Sequence, residues 1–237
     1  MRAFFLATMS LVIGLAIPFP INAADKVPPR ATPRPAAEVP LPGVARPAVP
    51  AGKNTEVAVF AGGCFWCTEF AFEHVAGVIN VESGYCGGTK ASANYNMVHR
   101  GTTGHAEAIR ITYDPEKVTF DDLLDVFFDS HDPTQLNRQG KDDVGRQYRS
   151  AIFFADDDQK KQAEAKIADL DAKRVHKRRI VTKLETLTEF YPAEDYHQDF
   201  ARRNPFLPYI QNHAVPKATH VRAKHPELIR NGDGSGQ

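Results

Sequence analysis

The run Val57-Ala58-Val59-Phe60-Ala61-Gly62-Gly63-Cys64-Phe65-Trp66-Cys67 decides how this chain folds. Four consecutive apolar residues closed by Ala-Gly-Gly read as a buried strand entering a tight turn. From residue 64 to about 74 the pattern changes: Phe65, Trp66, Phe70, Phe72 and Val75 are apolar while Glu69 and Glu73 are not, which predicts a helix packed on more than one side. Outward from this unit, residues 78–85 read as a second strand ended by Gly84 and Gly87-Gly88. Residues 107–113 form a third, whose alternation puts Glu107, Ile109, Ile111 and Tyr113 on one face and Arg110 and Thr112 on the other. Thr119 is placed to cap a helix over 120–129 with the apolar stripe Leu123, Leu124, Phe127 and Phe128. A strand at 148–154, a charged amphipathic helix at 156–174, a strand at 183–189 and a helix at 193–201 follow. This alternation predicts the α+β class, with a two-layer α/β sandwich around a mixed sheet of the ferredoxin-like plait type, trailed by a long irregular C-terminal segment.

The ends of the chain read differently. Residues 1–24 combine Arg2, an apolar run from Ala3 to Phe19 and small residues at Ala23-Ala24, the pattern of a secretory signal peptide. Residues 25–53 carry Pro28, Pro29, Pro33, Pro35, Pro40, Pro42, Pro47 and Pro50, so many missing N–H donors that neither helix nor ladder survives, and read as a linker. Residues 231–237 are Gly-rich and polar and are expected to be a disordered tail. One catalytic domain, 54–230, is left between them. The leader predicts a periplasmic or secreted protein with no membrane span once it is removed. The whole chain has 237 residues, 42% of them hydrophobic, enough for one core, and its 29 basic and 29 acidic residues cancel, which argues against a polyanion-binding role and favours no nucleic acid. Three cysteines are too few for a disulfide-stapled scaffold and odd in number, which points to chemistry.

Cys64 falls at the predicted first turn of a helix, where unpaired amides and the positive end of the helix dipole favour a thiolate, so it is a candidate nucleophile. Cys67, three residues on, faces the same side and completes a C-x-x-C pair of the kind used in thiol redox chemistry; half of a zinc site is the other reading of that spacing. The intervening Phe65 and Trp66 read equally as core or as the wall of a water-poor pocket. Glu107 is turned by its alternation toward the apolar face, where desolvation would raise its pKa and make it a general acid; a strand-end Glu facing solvent or paired with an Arg is the plainer reading. The nine histidines are scattered without metal-ligand spacing.

Taken together, Gly62-Gly63-Cys64-Phe65-Trp66-Cys67-Thr68-Glu69, Gly77-Val78, Ser83-Gly84-Tyr85-Cys86-Gly87-Gly88, Gly104-His105-Ala106-Glu107-Ala108, His131-Asp132-Pro133, Asp142, Gln147-Tyr148-Arg149-Ser150 and Ala193-Glu194-Asp195-Tyr196-His197-Gln198 resemble peptide methionine sulfoxide reductase A, in order, from about Val57 to Pro205. The resemblance implies reduction of the S epimer of methionine sulfoxide, free or in proteins, without a cofactor or metal, by a monomer. It places the nucleophile on Cys64 and the acid on Glu107. It sets Tyr95 and Tyr148 against the sulfoxide oxygen, Asp142 as a polar pocket residue, and Phe65 and Trp66 as the wall receiving the methyl group. A thioredoxin-like dithiol is the implied reductant. The best-known family pattern keeps its recycling cysteines in a Gly-rich C-terminal tail, and this tail has none. Resolution of the sulfenic acid therefore falls to Cys67 or Cys86, with Cys86 slightly favoured because its glycine-flanked turn could carry the sulfur to Cys64. A general thiol–disulfide oxidoreductase using Cys64 and Cys67 is the alternative.

Overall fold

The structure, a computed structural model, describes residues 54–230; the expected leader, linker and tail lie outside the described residues. In chain order the elements are β1 (Glu56–Gly62), α1 (Phe65–Phe72), β2 (Val78–Cys86), α2 (Tyr95–Val98), β3 (Ala106–Tyr113), α3 (Phe120–Ser130), β4 (Arg138–Gln139), β5 (Asp143–Val144), β6 (Ser150–Phe154), α4 (Asp157–Ala172), β7 (Lys183–Thr186), β8 (Phe190–Pro192), α5 (Phe200–Arg203) and α6 (Val215–Lys224). The predicted strand–turn–helix opening is β1 and α1. Helix α3 starts where its sequence says: Thr119 Oγ1 accepts from Asp122 N at 3.1 Å while Asp122 Oδ2 accepts from Thr119 N at 2.9 Å, a reciprocal cap contributing about 1 kcal/mol. Asp156 caps α4 in the same manner, accepting from the amides of Asp158 and Gln159.

Six strands form one mixed sheet in the order β7-β6-β1-β3-β2-β8, with β6 and β7 parallel and every other neighbouring pair antiparallel. Its two edges, β7 and β8, are separated by residues 187–189 alone. Four Cα steps reach ~14 Å, whereas five interstrand spacings in a flat sheet would hold the edges ~24 Å apart. The sheet is therefore curled until its edges approach each other, where the sequence suggests an open layer. Of the strand expected over 183–189, β7 takes Lys183–Thr186 and the last three residues are the connection to β8.

The curl gives the faces different contents. On the outer face Ala58, Phe60, Ile109, Ile111 and Tyr113 pack with residues of α1, α3, α4 and α6. Phe60 sits at the centre, with ring centroids 4.9 Å from Phe127, 5.8 Å from Phe120 and 5.9 Å from Phe72; full burial of one such side chain contributes about 1.5–3 kcal/mol. Inside the curl, Val59, Ala61, Cys86, Ala106, Ala108, Ala151 and Phe153 meet Leu187 and Phe190. Four alanines line this concavity and leave room for the Phe153 and Phe190 rings.

Two C-terminal expectations are corrected. The helix expected over 193–201 is a single tight turn at 195–197 followed by α5, because Asp199 adopts a left-handed conformation (φ 53°) and Gln198 ties the chain to β2, exchanging hydrogen bonds of 2.9 Å with Ser83 N and O. The segment beyond is not irregular. It is helical from 208 to 224, with a π-helical stretch at Ile210–Ala214 directly before α6. Pro216 lacks an N–H and its ring crowds the carbonyl one turn back, which the widened turn relieves. Helix α6 packs against α1 and α3, burying Ala218 and Val221, and His225 Nε2 lies 2.8 Å from Asp129 Oδ2 at the end of α3. No described helix is long and apolar enough to cross a membrane.

Candidate active site

The turn between β1 and α1 works only with glycine. Gly63 has φ +97°, and a Cβ there would lie 2.4 Å from Cγ of Gln139. Gln139 is itself fixed, accepting from Asp132 N at 3.1 Å and donating to Asp132 O at 2.9 Å. This close approach sets Cys64 at the N-cap of α1, where its carbonyl accepts from the amides of Cys67 (3.1 Å) and Thr68 (3.2 Å). The first free amide of the helix, Phe65 N, donates to Oε2 of Glu107 at 3.1 Å. Strand β3 thus brings Glu107, 2% exposed, to the start of the helix that carries the thiol. Register decides the rest: Glu107 pairs with Tyr85 across β3 and β2, and Ala106 pairs with Cys86. Opposed residues share a face, so Cys86 points into the curl, away from Glu107.

All three thiols are free and buried. Those of Cys64 and Cys67 hydrogen-bond to each other and titrate as a pair. Burial, followed by the Cys67 hydrogen bond and charge and then Glu107 and Asp143, pushes Cys64 well above the ordinary thiol range. Burial foremost thus works against the expected resting thiolate, and the amide that would favour it already donates to Glu107. Cys67 is shifted the other way, by the hydrogen bond from Cys64 foremost and by the Lys217 charge and a Tyr209 hydrogen bond, against its burial. Cys86 donates to Glu189 O at 3.3 Å, and burial pushes it up to about 12.

An aromatic wall surrounds the pair. Trp66 Nε1 donates to His197 Nδ1 at 3.1 Å, and its ring stacks on Phe200 at 3.8 Å and 12°. Phe65 lies 5.0 Å from the His197 ring and 5.9 Å from Tyr85. Tyr95 packs on His197 at 4.5 Å, and its amide donates to Glu194, which also accepts from Tyr85 Oη at 2.8 Å. Burial lowers His197 to about 4, so it is a neutral acceptor for the indole. Tyr148 is buried in the core cluster that holds Cys64, Phe65 and Trp66. Of the residues that the sequence placed at the site, the structure leaves two outside it: Cys86, the slightly favoured resolving thiol, lies on the other face of the sheet, and Asp142 is exposed and pairs with His213 Nε2 at 3.1 Å. The buried carboxylate is its neighbour Asp143, 2% exposed, whose Oδ2 accepts from Tyr209 Oη at 2.7 Å. Asp142 belongs to the exposed turn before β5, whereas Asp143 is the first residue of that strand. Asp143, Tyr209 and Lys217 are the site residues that sequence reasoning missed, while Glu194 and His197 stood in the quoted 193–198 motif without an assigned site role.

A cavity of about 490 Å³ opens on the Asp143 and Lys217 side, lined also by His131, Gln139 and His213. Among the described residues, the carboxylates close enough to share a cation are Glu69, Glu73 and Asp199. Glu69 Oε2 already accepts from Ser83 Oγ and Asp199 N, each at 3.1 Å. Burial and then the Glu69 charge lift Glu73 to about 8, so a retained proton relieves the crowding.

The family model described as peptide methionine sulfoxide reductase matches residues 56–228. Peptide methionine sulfoxide reductase MsrA 2 of Synechocystis sp. is 50% identical over 179 residues, 75% of this chain and 83% of that protein. MsrA of Erwinia tasmaniensis is 58% identical over 146 residues, covering 62% and 80%. Among solved structures, Mxr1 of Saccharomyces cerevisiae in reduced form superposes with a TM-score of 0.60 at 33% identity, covering 67% of this chain and 91% of that one.

Proposed function

Because the chain belongs to the peptide methionine sulfoxide reductase A family and is a peptide-methionine (S)-S-oxide reductase, we propose that it reduces the S epimer of methionine sulfoxide, free or within exported proteins, through Cys64. Sulfur attack by Cys64 on the sulfoxide sulfur drives electron density onto the oxygen. Glu107 supplies a proton there and is reprotonated by the one the Cys64 thiol gives up, so the step balances as thiol plus sulfoxide to sulfenic acid plus thioether, and the hydroxyls of Tyr95 and Tyr148 donate hydrogen bonds. Phe65 and Trp66 receive the methyl group, and Asp143 is the polar residue of the pocket. Methionine departs and Cys64 keeps the oxygen as a sulfenic acid. Cys67 then condenses with it, since its thiol already hydrogen-bonds to Cys64 while Cys86 faces into the curl. A thioredoxin-like dithiol opens the resulting disulfide by exchange. The leader pattern supports an exported, periplasmic or secreted monomer, and the β1-α1-β2-β3-α3-β6 order supports a ferredoxin-like plait at the centre of the sheet.

The observation that carries this reading is the buried Glu107 carboxyl group, whose Oε2 accepts from the Phe65 amide one residue from the thiol. The test is reductant-dependent loss of the S epimer of a methionine sulfoxide peptide. Cys64→Ser should lose activity ~10³-fold or more and Glu107→Gln, which still accepts from the amide, about 10²–10⁴-fold. Activity surviving in Cys64→Ser ends the reading. The hydrogen-bonded Cys64–Cys67 pair favours one second reading, a general thiol–disulfide oxidoreductase, for which Glu107→Gln would leave protein-disulfide turnover intact.

A further inference from the structure

The C-terminal helical segment brings Tyr209 between the thiol pair and a buried carboxylate. Its hydroxyl lies 2.7 Å from Asp143 Oδ2 and hydrogen-bonds to both Cys64 and Cys67. Its ring stands edge-on to Trp66 at 6.0 Å and 80°, and the His213 ring covers it at 4.5 Å, so the hydroxyl is held from several sides. A phenol has one proton and accepts through its lone pairs; with three neighbours it donates to one and accepts from another. Lys217, two turns further along the same helical segment, adds positive charge that acts on Cys67.

We infer that Tyr209 is a further catalytic residue, the proton relay of the step that closes the Cys64–Cys67 disulfide. The inference rests on the proposed reading, in which Cys64 carries a sulfenic acid after methionine leaves. Disulfide closure converts Cys64 S–OH and Cys67 S–H into an S–S bond and water. The S–O bond breaks, the Cys67 sulfur is oxidised, the Cys64 sulfur is reduced, and the proton leaving Cys67 must reach the departing oxygen. A hydroxyl that touches both sulfurs does this in one exchange, accepting from Cys67 while donating to the oxygen on Cys64. Asp143 holds the hydroxyl in place beforehand. Burial, together with the two thiols and Asp143, drives the phenol far above its ordinary pKa, so it stays a neutral hydroxyl that both gives and takes. Lys217 favours the thiolate that forms at Cys67 as attack proceeds.

The full chain carrying Tyr209→Phe, with Asp143→Asn as a second variant, is reduced and mixed with one equivalent of the S epimer of methionine sulfoxide. Methionine release, sulfenic acid trapped by dimedone and disulfide closure are followed separately, and a Trp66 fluorescence melt confirms folding. Tyr209→Phe should slow disulfide closure about 10²-fold, the scale of a positioned proton-transfer group, more than it slows methionine release, so that trapped sulfenic acid accumulates. Asp143→Asn should shift closure in the same direction by less. Closure of Tyr209→Phe at the wild-type rate, or equal slowing of closure and methionine release, overturns the relay. Absence of methionine in the wild type would instead overturn the underlying reading.

Discussion

The two faces of one curled sheet hold chemically identical thiols in opposite circumstances. On the helical face Cys64 and Cys67 share a hydrogen bond, an acid at the helix start and a hydroxyl from the C-terminal helical segment. Inside the curl, Cys86 is equally buried but surrounded by alanines, with its proton on the carbonyl of Glu189. Burial alone does not make a cysteine reactive; what surrounds the sulfur does. A step of one residue along β2, from Tyr85 to Cys86, crosses from one circumstance to the other.

The largest expected effect tests that difference directly. Cys67→Ser should lower steady-state turnover with a dithiol protein about 10²-fold and leave a trappable sulfenic acid on Cys64, while Cys86→Ser stays within about twofold of wild type. Thiol counts after one turnover check it. A disulfide that persists in Cys67→Ser and vanishes in Cys86→Ser would mean that the sheet opens during catalysis and that the two faces are not separate.

Next in size is a pH effect of the helical face. His131 is buried at the wall of the cavity, its Nδ1 donating to Phe127 O at 2.8 Å and its Nε2 2.7 Å from Ser150 Oγ, and burial lowers it to about 3. The folded state therefore binds this proton less readily than the unfolded chain. Stability present at pH 7 is lost as pH falls through the ordinary histidine range toward 3, by up to about 3 kcal/mol at pH 4. Glu73 has the opposite sign. Its folded pKa, about 8, is raised, so its contribution is present at low pH and lost as pH rises toward 8. Melting temperatures from pH 4 to 8 should fall at both ends, with His131→Asn flattening the acid limb and Glu73→Gln the alkaline one. An unchanged acid limb in His131→Asn would remove the histidine from the account.

Much of this was legible because local pattern and tertiary role agree. Alternation in residues 107–113 placed Glu107 on the helical face, Thr119 announced α3, and Gly62-Gly63 marked the turn before Cys64. The same alternation rule applied to β2 would have put Cys86 on the face opposite Tyr85; Asp142 lies in the turn before β5, a strand of two residues too short to show a period that would tell it from Asp143. The C-terminal helical segment was legible in principle as Ile210, Ala214, Ala218 and Val221, the stripe of one helical face. Pro205, Pro208, Pro216 and Pro226 disguised it. Tyr209 carried no local signal, since its partner Asp143 lies far away in sequence.

Gly63→Ala probes the turn that separates β1 from the thiol. Its φ of +97° and the 2.4 Å approach to Gln139 leave no relaxed position for a methyl group, so about 2 kcal/mol or more of stability should be lost. Methionine formation should fall with it, because Cys64 follows directly. A denaturant midpoint equal to wild type would show that Gln139 yields and that the turn is not the constraint.

The smallest effect isolates the indole from its ring. Trp66→Phe keeps an aromatic surface against Phe200 but removes the N–H that donates to His197. His197 is fully buried and neutral, so its Nδ1 would lose its partner in a place where water does not replace it. The lost bond and the uncompensated acceptor together cost about 1 kcal/mol or slightly more, read as a lower melting temperature at pH 7. The variant also exposes a coupling across the site, because Tyr95 and Phe65 lean on the same imidazole. If His197 anchors the wall, KM for the sulfoxide should rise more than disulfide closure by Cys67 slows, since the phenylalanine keeps a ring at the edge-on contact with Tyr209. Equal losses in both half-reactions would instead make His197 a support for α1 as a whole.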